Sequence, residues 1–335
     1  MKQVSIKAPG GLDNLVTSDV EEPKAPGAGE ITIRIKASSL NFHDYMVASK
    51  EGAAEDGRVP MADGAGTVEA VGEGVTEFAE GDSVVSCFFP DWQDGDVRPS
   101  DFKRTPGDGM DGYARERVTV PANWVTRAPK GWSHEEAATI TTAGLTAWRA
   151  LVVDGGIKAG DTVAVLGTGG VSIYALQLAK AMGATVIATS SSDEKLERVK
   201  KLGADHVINY RSTPEWGKEM RNLTDGRGVD IVVEVGGPAT LPQSITAGRT
   251  GAHLALIGVL TGAGGEVPTA HLMSRQQRLQ GLIVGSRTHQ KDFVRALDVL
   301  GVKPVIDSSY ALEDLAEAFR HQESGKHFGK ICVTM

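Results

Sequence analysis

The sequence predicts an α/β chain in two parts, a β-rich domain and a doubly wound parallel sheet. Three observations carry this expectation. Residues 162–166, Thr-Val-Ala-Val-Leu, are a short apolar run that stops at glycine, which reads as a buried strand of a parallel sheet. From Thr162 onward such runs alternate with helical stretches, the pattern of βαβ units. The first 127 residues instead show short alternating segments between glycine turns. A length of 335 residues exceeds what one ordinary core supports, so two domains are expected.

In chain order, residues 3–7 open as a strand. Residues 31–37 alternate apolar and charged positions, as a half-buried strand does. Residues 64–74, 82–88 and 113–120 read as further strands. Residues 91–112 are polar and rich in Asp, Gly and Pro, which suggests a surface lobe, with the length of a lid or insertion. Ser133-His-Glu-Glu136 is a capping box that opens a helix toward Ala150. Strands then fall at 162–166, 184–189, 206–209, 230–235, 252–257 and 279–284. Helices fall at 170–182, 193–202, 215–223 and 239–247. Helices at 290–300 and 312–324 and a strand at 330–333 return to the first domain.

Composition excludes several classes. Hydrophobic residues at 41% with 23% charged are globular values. A net charge of −8 argues against nucleic acid or an anionic membrane as partner. Cys87 and Cys332 stand far apart and give neither a disulfide framework nor a metal knuckle. No apolar run nears membrane-spanning length, and the first residues lack a signal pattern, so a cytoplasmic location is expected.

Chemistry is concentrated in Gly167-Thr168-Gly169-Gly170-Val171-Ser172. Placed between a strand and a helix, it matches the dinucleotide pattern G-x-G-x-x-G except for Ser172 at the sixth position. Gly167 permits the turn and Gly169 admits a diphosphate. The helix start at Gly170 offers unpaired N–H groups.

The chain resembles the medium-chain dehydrogenase/reductase superfamily, and most closely its zinc-free, quinone oxidoreductase-like branch. The likeness rests on Ser39-Leu-Asn-Phe-His-Asp44, Asp63-Gly-Ala-Gly-Thr-Val-Glu-Ala-Val-Gly72, Gly144-Leu-Thr-Ala-Trp148, the glycine loop, Leu202-Gly-Ala-Asp-His-Val-Ile-Asn-Tyr210, Val229-Asp-Ile-Val-Val-Glu-Val-Gly-Gly237 and Phe328-Gly-Lys330. It implies a GroES-like catalytic domain (1–127 and 287–335) and a Rossmann nucleotide-binding domain (128–286). It also implies a homodimer joined through the last strands of the nucleotide domain, and a small-molecule substrate.

Zinc-containing relatives hold their metal with cysteine and histidine. By resemblance, Asn41, Ala62-Asp63 and Thr142 stand at those positions, so no metal is expected. Without a Lewis acid, a conjugated acceptor that spreads incoming charge is favoured over a simple carbonyl. The implied activity is zinc-independent, NADPH-dependent hydride transfer to a quinone, enone or related carbonyl. A zinc-independent NAD(P) alcohol dehydrogenase-like enzyme and a non-catalytic NADPH-binding protein are the alternatives.

NADP(H) is expected because the second strand ends in Ser190-Ser191-Ser192 with no carboxylate before Asp193, and Lys195 adds a cation. Ser191 and Glu194 fit a capping box. The resemblance adds Tyr210 beside the 2′-phosphate and Thr146 near the phosphates or the nicotinamide ribose. It also adds Gly236, Gly258, Val259, Leu260, Val284, Ser286, Phe328 and Gly329 along the cofactor. For catalysis, Asn41 orients an oxygen or satisfies a turn. His43 relays a proton or is structural. Tyr45 is a further donor candidate, and the role of Asp63 is open. Phe42, Phe89, Trp92 and Met110 line an apolar pocket or are core.

Overall fold

The computed structural model describes all residues from Met1 to Met335. They form two compact units, Met1–Leu145 with Val284–Met335, and Thr146–Ile283.

The first unit is built on a seven-stranded sheet. Its strands run in the order Ile306–Ala311, Lys330–Thr334, Glu30–Ser39, Ala65–Val71, Ser83–Ser86, Val125–Arg127, and Arg117–Pro121 also pairs with Glu30–Ser39. The alternation expected from residue 31 places Ile31, Ile33 and Ile35 inside, against Val68, Phe78, Val84, Tyr113 and Val118. Beyond that core, Lys330–Thr334 pairs antiparallel with Glu30–Ser39, and Cys332 faces Ser39. This register brings the chain's residue 330 beside residues 40 and 41. A second core of Ile6, Leu40, Val47, Leu315, Phe319 and Ile331 packs there.

The second unit is a six-stranded parallel sheet, ordered His206–Asn209, Thr185–Ser190, Thr162–Leu166, Val229–Glu234, Gly248–Leu256, Arg278–Gly281. Every residue of Thr162–Leu166 and Val229–Glu234 is buried, as expected of central strands covered on both faces. The strand order reverses beside Thr162–Leu166, which is where doubly wound sheets bind ligands at the strands' C-terminal ends.

Several boundaries differ from expectation. The units divide at Leu145 and Ile283 instead of 127 and 286. The reason is the helix His134–Ala138: its buried Ala137 and Ala138 pack on the first unit's strands, and the carbonyl of Ala138 accepts from Ser39 Oγ. The helical stretch that it opens reaches past Ala150 as expected, but as π turns at Ile140–Gly144 and Arg149–Val153 on either side of a short α segment, Leu145–Trp148. The last strand of the parallel sheet ends at Gly281 instead of 284, and Val284 takes a left-handed φ of 45° that no strand permits. Residues 91–112 lie at the surface as expected, with 94–100 exposed, but the lobe is anchored. Trp92 and Thr105 are buried, and Gly107 and Gly112 lie against the backbone of residues 60 and 61, where a Cβ would collide.

Candidate functional site

In the first unit, the chemistry-bearing residues gather where Ser39 gives way to the helix Phe42–Ser49. Asn41 caps that helix, and its N–H donates to Asp44 Oδ2 at 3.0 Å. Asp44 also accepts the N–H of Ala62 at 2.8 Å. Asn41 Nδ2 lies 3.0 Å from Asp44 Oδ2 and 2.9 Å from Asp63 Oδ2. Asp63 further accepts from Ser39 Oγ at 2.5 Å and Thr142 Oγ1 at 2.6 Å. The ammonium of Lys330 completes the group. It donates to the carbonyl of Leu40 and, at 2.6 Å, to Asn41 Oδ1, and it lies 3.7 Å from Asp63 Oδ2.

The group is dry, with Asp63 fully buried and Lys330 only 3% exposed. Burial pushes the Asp63 carboxyl up and the Lys330 ammonium down, while their mutual attraction opposes both shifts. Asn41 has no polar atom to spare, so its geometry is that of a cap and a linker. Asp63 is likewise spent on internal donors.

These residues do not fit zinc. Asn41 and Thr142 bring no thiolate or imidazole, and both are hydrogen-bonded to Asp63. The protein holds no group of three His, Cys, Asp or Glu side chains arranged for a metal ion. Cys87 and Cys332 are both buried, and burial pushes each thiol up to about 12, so neither offers a thiolate at neutral pH.

His43, in the first turn of the same helix, is different. Its Nε2 is 3.1 Å from Asp108 Oδ2, its Nδ1 is 3.9 Å from Asp44 Oδ1, and Phe88 meets the ring edge-on. Burial alone would depress its pKa, but Asp108 and Asp44 outweigh it and raise the value to about 9. His43 is therefore an imidazolium at neutral pH. Tyr45 turns elsewhere, and its hydroxyl donates to Glu323 at 2.6 Å. Phe89 and Trp92 are core, with Phe102 against Phe89.

In the second unit, the loop after Thr162–Leu166 fits a diphosphate. Gly167 has φ 73°, and a Cβ on Gly167 or Gly169 would meet nothing within 4 Å, so the space over the loop is open. Gly169 caps the twelve-residue helix Gly170–Ala181 without a side chain, which leaves the first N–H groups for a ligand. Ser172 Oγ donates to the carbonyl of Leu166 at 2.6 Å, fastening helix to strand where the dinucleotide pattern has glycine. Thr146 and Thr168 are buried in this unit.

At the second strand's end, Ser190 Oγ accepts from Ser192 N at 3.2 Å, and the N–H of Tyr210 donates to the carbonyl of Ser190. The helix Asp193–Lys201 is capped by Ser192, which accepts from Lys195 N, and not by Ser191 with Glu194. The helix begins one residue later than the capping-box spacing suggested, and Lys195 at the third position cannot reciprocate. Asp193, the nearest acid, is held by Asn209 Nδ2 at 2.7 Å. Ser190 and Tyr210 are thus joined through their backbones at this strand end, and Ser191 and Lys195 follow on the turn and the helix, beside the exposed Asp193 and Glu194.

Glu234, which sequence reasoning missed, organises the next loop. Buried completely, it accepts from the N–H groups of Gly236 and Gly237, at 2.7 and 3.0 Å, and from Thr240 and Ser244. Gly258 must be glycine, because a Cβ there would lie 2.1 Å from the carbonyl of Val235. Val259 and Leu260 are half exposed beside it.

Four expected cofactor residues belong to the first unit. Ser286 caps the helix Arg287–Leu300 in a reciprocal pair with His289, its Oγ accepting from His289 N and keeping its own hydrogen to donate. Phe328 is a buried ring whose N–H donates to Asp307. Gly329, at φ 83°, sits where a Cβ would strike the carbonyl of Val305. Val284 is buried.

Lys330, Asp44 and Asp108 were also absent from the expected site. A lone lysine opening an apolar strand was the available signal for the first, and the N-cap spacing of Asn41 was the signal for the second. Nothing local marks Asp108, which meets His43 only in the fold.

Residues 27–130 match the family model of the alcohol dehydrogenase GroES-like domain, and residues 170–321 that of the zinc-binding dehydrogenases. A zinc-type alcohol dehydrogenase-like protein of Schizosaccharomyces pombe is 40% identical over 334 residues, covering 96% of each chain. The solved structure of an NAD-dependent alcohol dehydrogenase superposes with a TM-score of 0.90 at 36% identity, over 100% of both chains. That of a mycobacterial protein complexed with NADPH gives 0.83 at 27% identity, also over 100% of both.

Proposed function

The chain belongs to the medium-chain dehydrogenase/reductase superfamily, and on that premise we propose that it is a zinc-independent reductase that takes NADPH and a conjugated carbonyl, a quinone or an enone. The carrying observation is the buried group of Lys330, Asp63, Asn41 and Thr142, which leaves no donor set for zinc. A nicotinamide cofactor would supply a hydride. The loop Gly167–Gly170 would hold its diphosphate, and Ser190, Ser191, Lys195 and Tyr210 would hold the 2′-phosphate. A conjugated acceptor spreads the arriving charge and needs no Lewis acid.

The reduced product also needs a proton. His43 holds one, kept on the ring by Asp108 and Asp44, and Nε2 is the atom that releases it, since Nδ1 is buried. Lys330 acts at one remove, fixing Asn41 and so the first turn that carries His43.

NADPH consumption by chelator-washed protein, followed against quinones, enones and simple aldehydes, tests this proposal. Turnover of quinones or enones at least tenfold above aldehydes is expected. Turnover of aldehydes alone, or none at all, would refute it, and the latter would leave a cofactor-binding protein.

Alcohol oxidation with NAD is a second reading, favoured by the 36% identical NAD-dependent alcohol dehydrogenase. NAD-driven oxidation of alcohols, without reduction of quinones, would establish it.

We also propose a homodimer. Arg278–Gly281 is an edge strand, with Ile283 and Met273 exposed near it. Light scattering that returns the monomer mass of 35.3 kDa would exclude this.

A further inference from the structure

Glu234 is the last residue of the strand Val229–Glu234, which lies parallel to Thr162–Leu166. Their register pairs Val165 with Val233, so Glu234 stands level with Leu166, one residue before the glycine loop. On its other side Glu234 pairs with Leu256 of the strand Gly248–Leu256. Three strand ends thus lie side by side at the end where doubly wound sheets take their ligands.

Every partner of the buried carboxylate is neutral. Oε1 accepts from Gly236 N at 2.7 Å, Gly237 N at 3.0 Å and Thr240 Oγ1 at 2.6 Å, and Oε2 accepts from Ser244 Oγ. Burying a carboxylate is costly unless donors meet it. Here four donors from the chain that follows meet it, and they are fixed in place by doing so.

The backbone of the same residue holds the neighbouring turn. The carbonyl of Glu234 accepts from Ile257 N at 2.8 Å and Gly258 N at 3.3 Å. Thr261 ties the two turns together. Its N–H and its hydroxyl both donate to the carbonyl of Gly236, at 2.8 Å each, and Ala239 N donates to its oxygen at 3.1 Å. The turns pack backbone on backbone: a Cβ on Gly237, at φ 93°, would lie 3.0 Å from the carbonyl of Gly258. The glycine loop alongside is the reverse, with open space over Gly167 and Gly169. An open loop is thus flanked by two interlocked turns, both hung from Glu234.

We propose that Glu234 is a positioning residue for the dinucleotide cofactor. It touches no ligand. Its carboxylate and carbonyl set the turns 235–240 and 257–262 as a rigid wall beside the glycine loop, and the cofactor binds against that wall. The proposal rests on the reading of the glycine loop as a dinucleotide site. A wall set before binding spares the cofactor the cost of ordering two turns, so its loss shows as weaker binding and not as slower chemistry.

The test is calorimetric titration of NADPH and NADH into wild type and variants, with urea unfolding of each unliganded protein. Glu234→Leu removes the acceptor for all four donors and should weaken both cofactors about tenfold or more. With a quinone acceptor, KM for NADPH should rise in step while kcat at saturating cofactor stays within about twofold. Glu234→Gln should restore wild-type affinity. Its amide oxygen takes the place of Oε1, and its NH2 then faces Ser244 Oγ, a hydroxyl that accepts as well as donates. Thr261→Val, at an exposed position, keeps the test decisive if Glu234→Leu fails to fold. It leaves Ala239 N without its acceptor and should weaken NADPH about threefold. A Glu234→Leu protein that is less stable yet binds NADPH as wild type does would make the residue merely structural and overturn the proposal. Equal losses in Glu234→Gln and Glu234→Leu would overturn it too, by assigning the effect to charge, as would unchanged affinity in Thr261→Val. Wild type that binds neither cofactor would defeat the dinucleotide reading itself, and the positioning role with it. Wild type that binds while the variants are unaffected defeats the positioning role alone.

Discussion

His43 Nε2 donates to Asp108 Oδ2 across 65 residues of sequence, at 3.1 Å. The contact ties the first helix to the packed segment of residues 91–112 and keeps the imidazole charged. The folded pKa is about 9, above the ordinary 6.5. The stability this contributes is complete below about pH 6.5 and is lost as pH rises through about 9.

Asp108→Asn should therefore lower the His43 pKa. Urea denaturation should show the variant less stable than wild type at pH 6, and the two should converge at pH 10. NMR titration of the ring would check the shift directly. If His43 is the proton source, the alkaline limb of the reductase profile should also move to lower pH in the variant. An unchanged profile with a shifted ring pKa would remove His43 from the chemistry.

Lys330→Met should be severely destabilising. It leaves Asp63 buried with no cation within reach, and breaking a buried pair costs about 3–5 kcal/mol. Adding Asp63→Asn should recover a good part of that loss, because the uncompensated charge is then gone. Denaturant unfolding of both singles and the double closes the cycle. Additive losses would mean that the two residues do not interact.

Cofactor choice turns on Ser190–Lys195. Ser190 Oγ already accepts from Ser192 N, so its own hydrogen remains to be donated. Each charge-assisted hydrogen bond to a 2′-phosphate is worth roughly 1.5–3 kcal/mol when shielded from water. Lys195→Ala should weaken NADPH about tenfold or more and leave NADH nearly unchanged. Ser190→Asp should reverse the preference. Calorimetry with both cofactors decides, and an equal loss for both would make Lys195 a surface residue.

Elemental analysis of purified protein should find no stoichiometric zinc, and chelator treatment should leave activity intact. About one zinc per chain, lost together with activity, would show that a ligand set exists which Asn41, Asp63 and Thr142 do not reveal.

Much of the parallel sheet was legible, because buried strands and amphipathic helices write their periods directly into the sequence. Thr162–Leu166 and His206–Asn209 have the expected limits. The glycine loop was legible for the same local reason. The break in the helix after Ala138 was not, since π turns carry no residue signature here. Local motifs also misled where two candidates overlapped: Ser191 and Glu194 have capping-box spacing, yet Ser192 is the cap. The buried charge group was half visible. Asn41, Asp63 and Thr142 drew notice as absent metal ligands, but their partner Lys330 lies 289 residues from Asn41. Only the pairing of Lys330–Thr334 with Glu30–Ser39 brings it there.

That same strand pairing bears on the order of events during synthesis. Residues 146–283 form one continuous stretch, so the second unit is fully available as soon as it clears the ribosome. The first unit begins earlier but waits. Its interior strand Lys330–Thr334, and with it the cation opposite Asp63, is made only after the whole second unit. Until then Asp63 has no reason to be buried, and residues 37–39 of Glu30–Ser39 have one side open. The unit whose chain starts ahead of the second unit is thus the one completed after it.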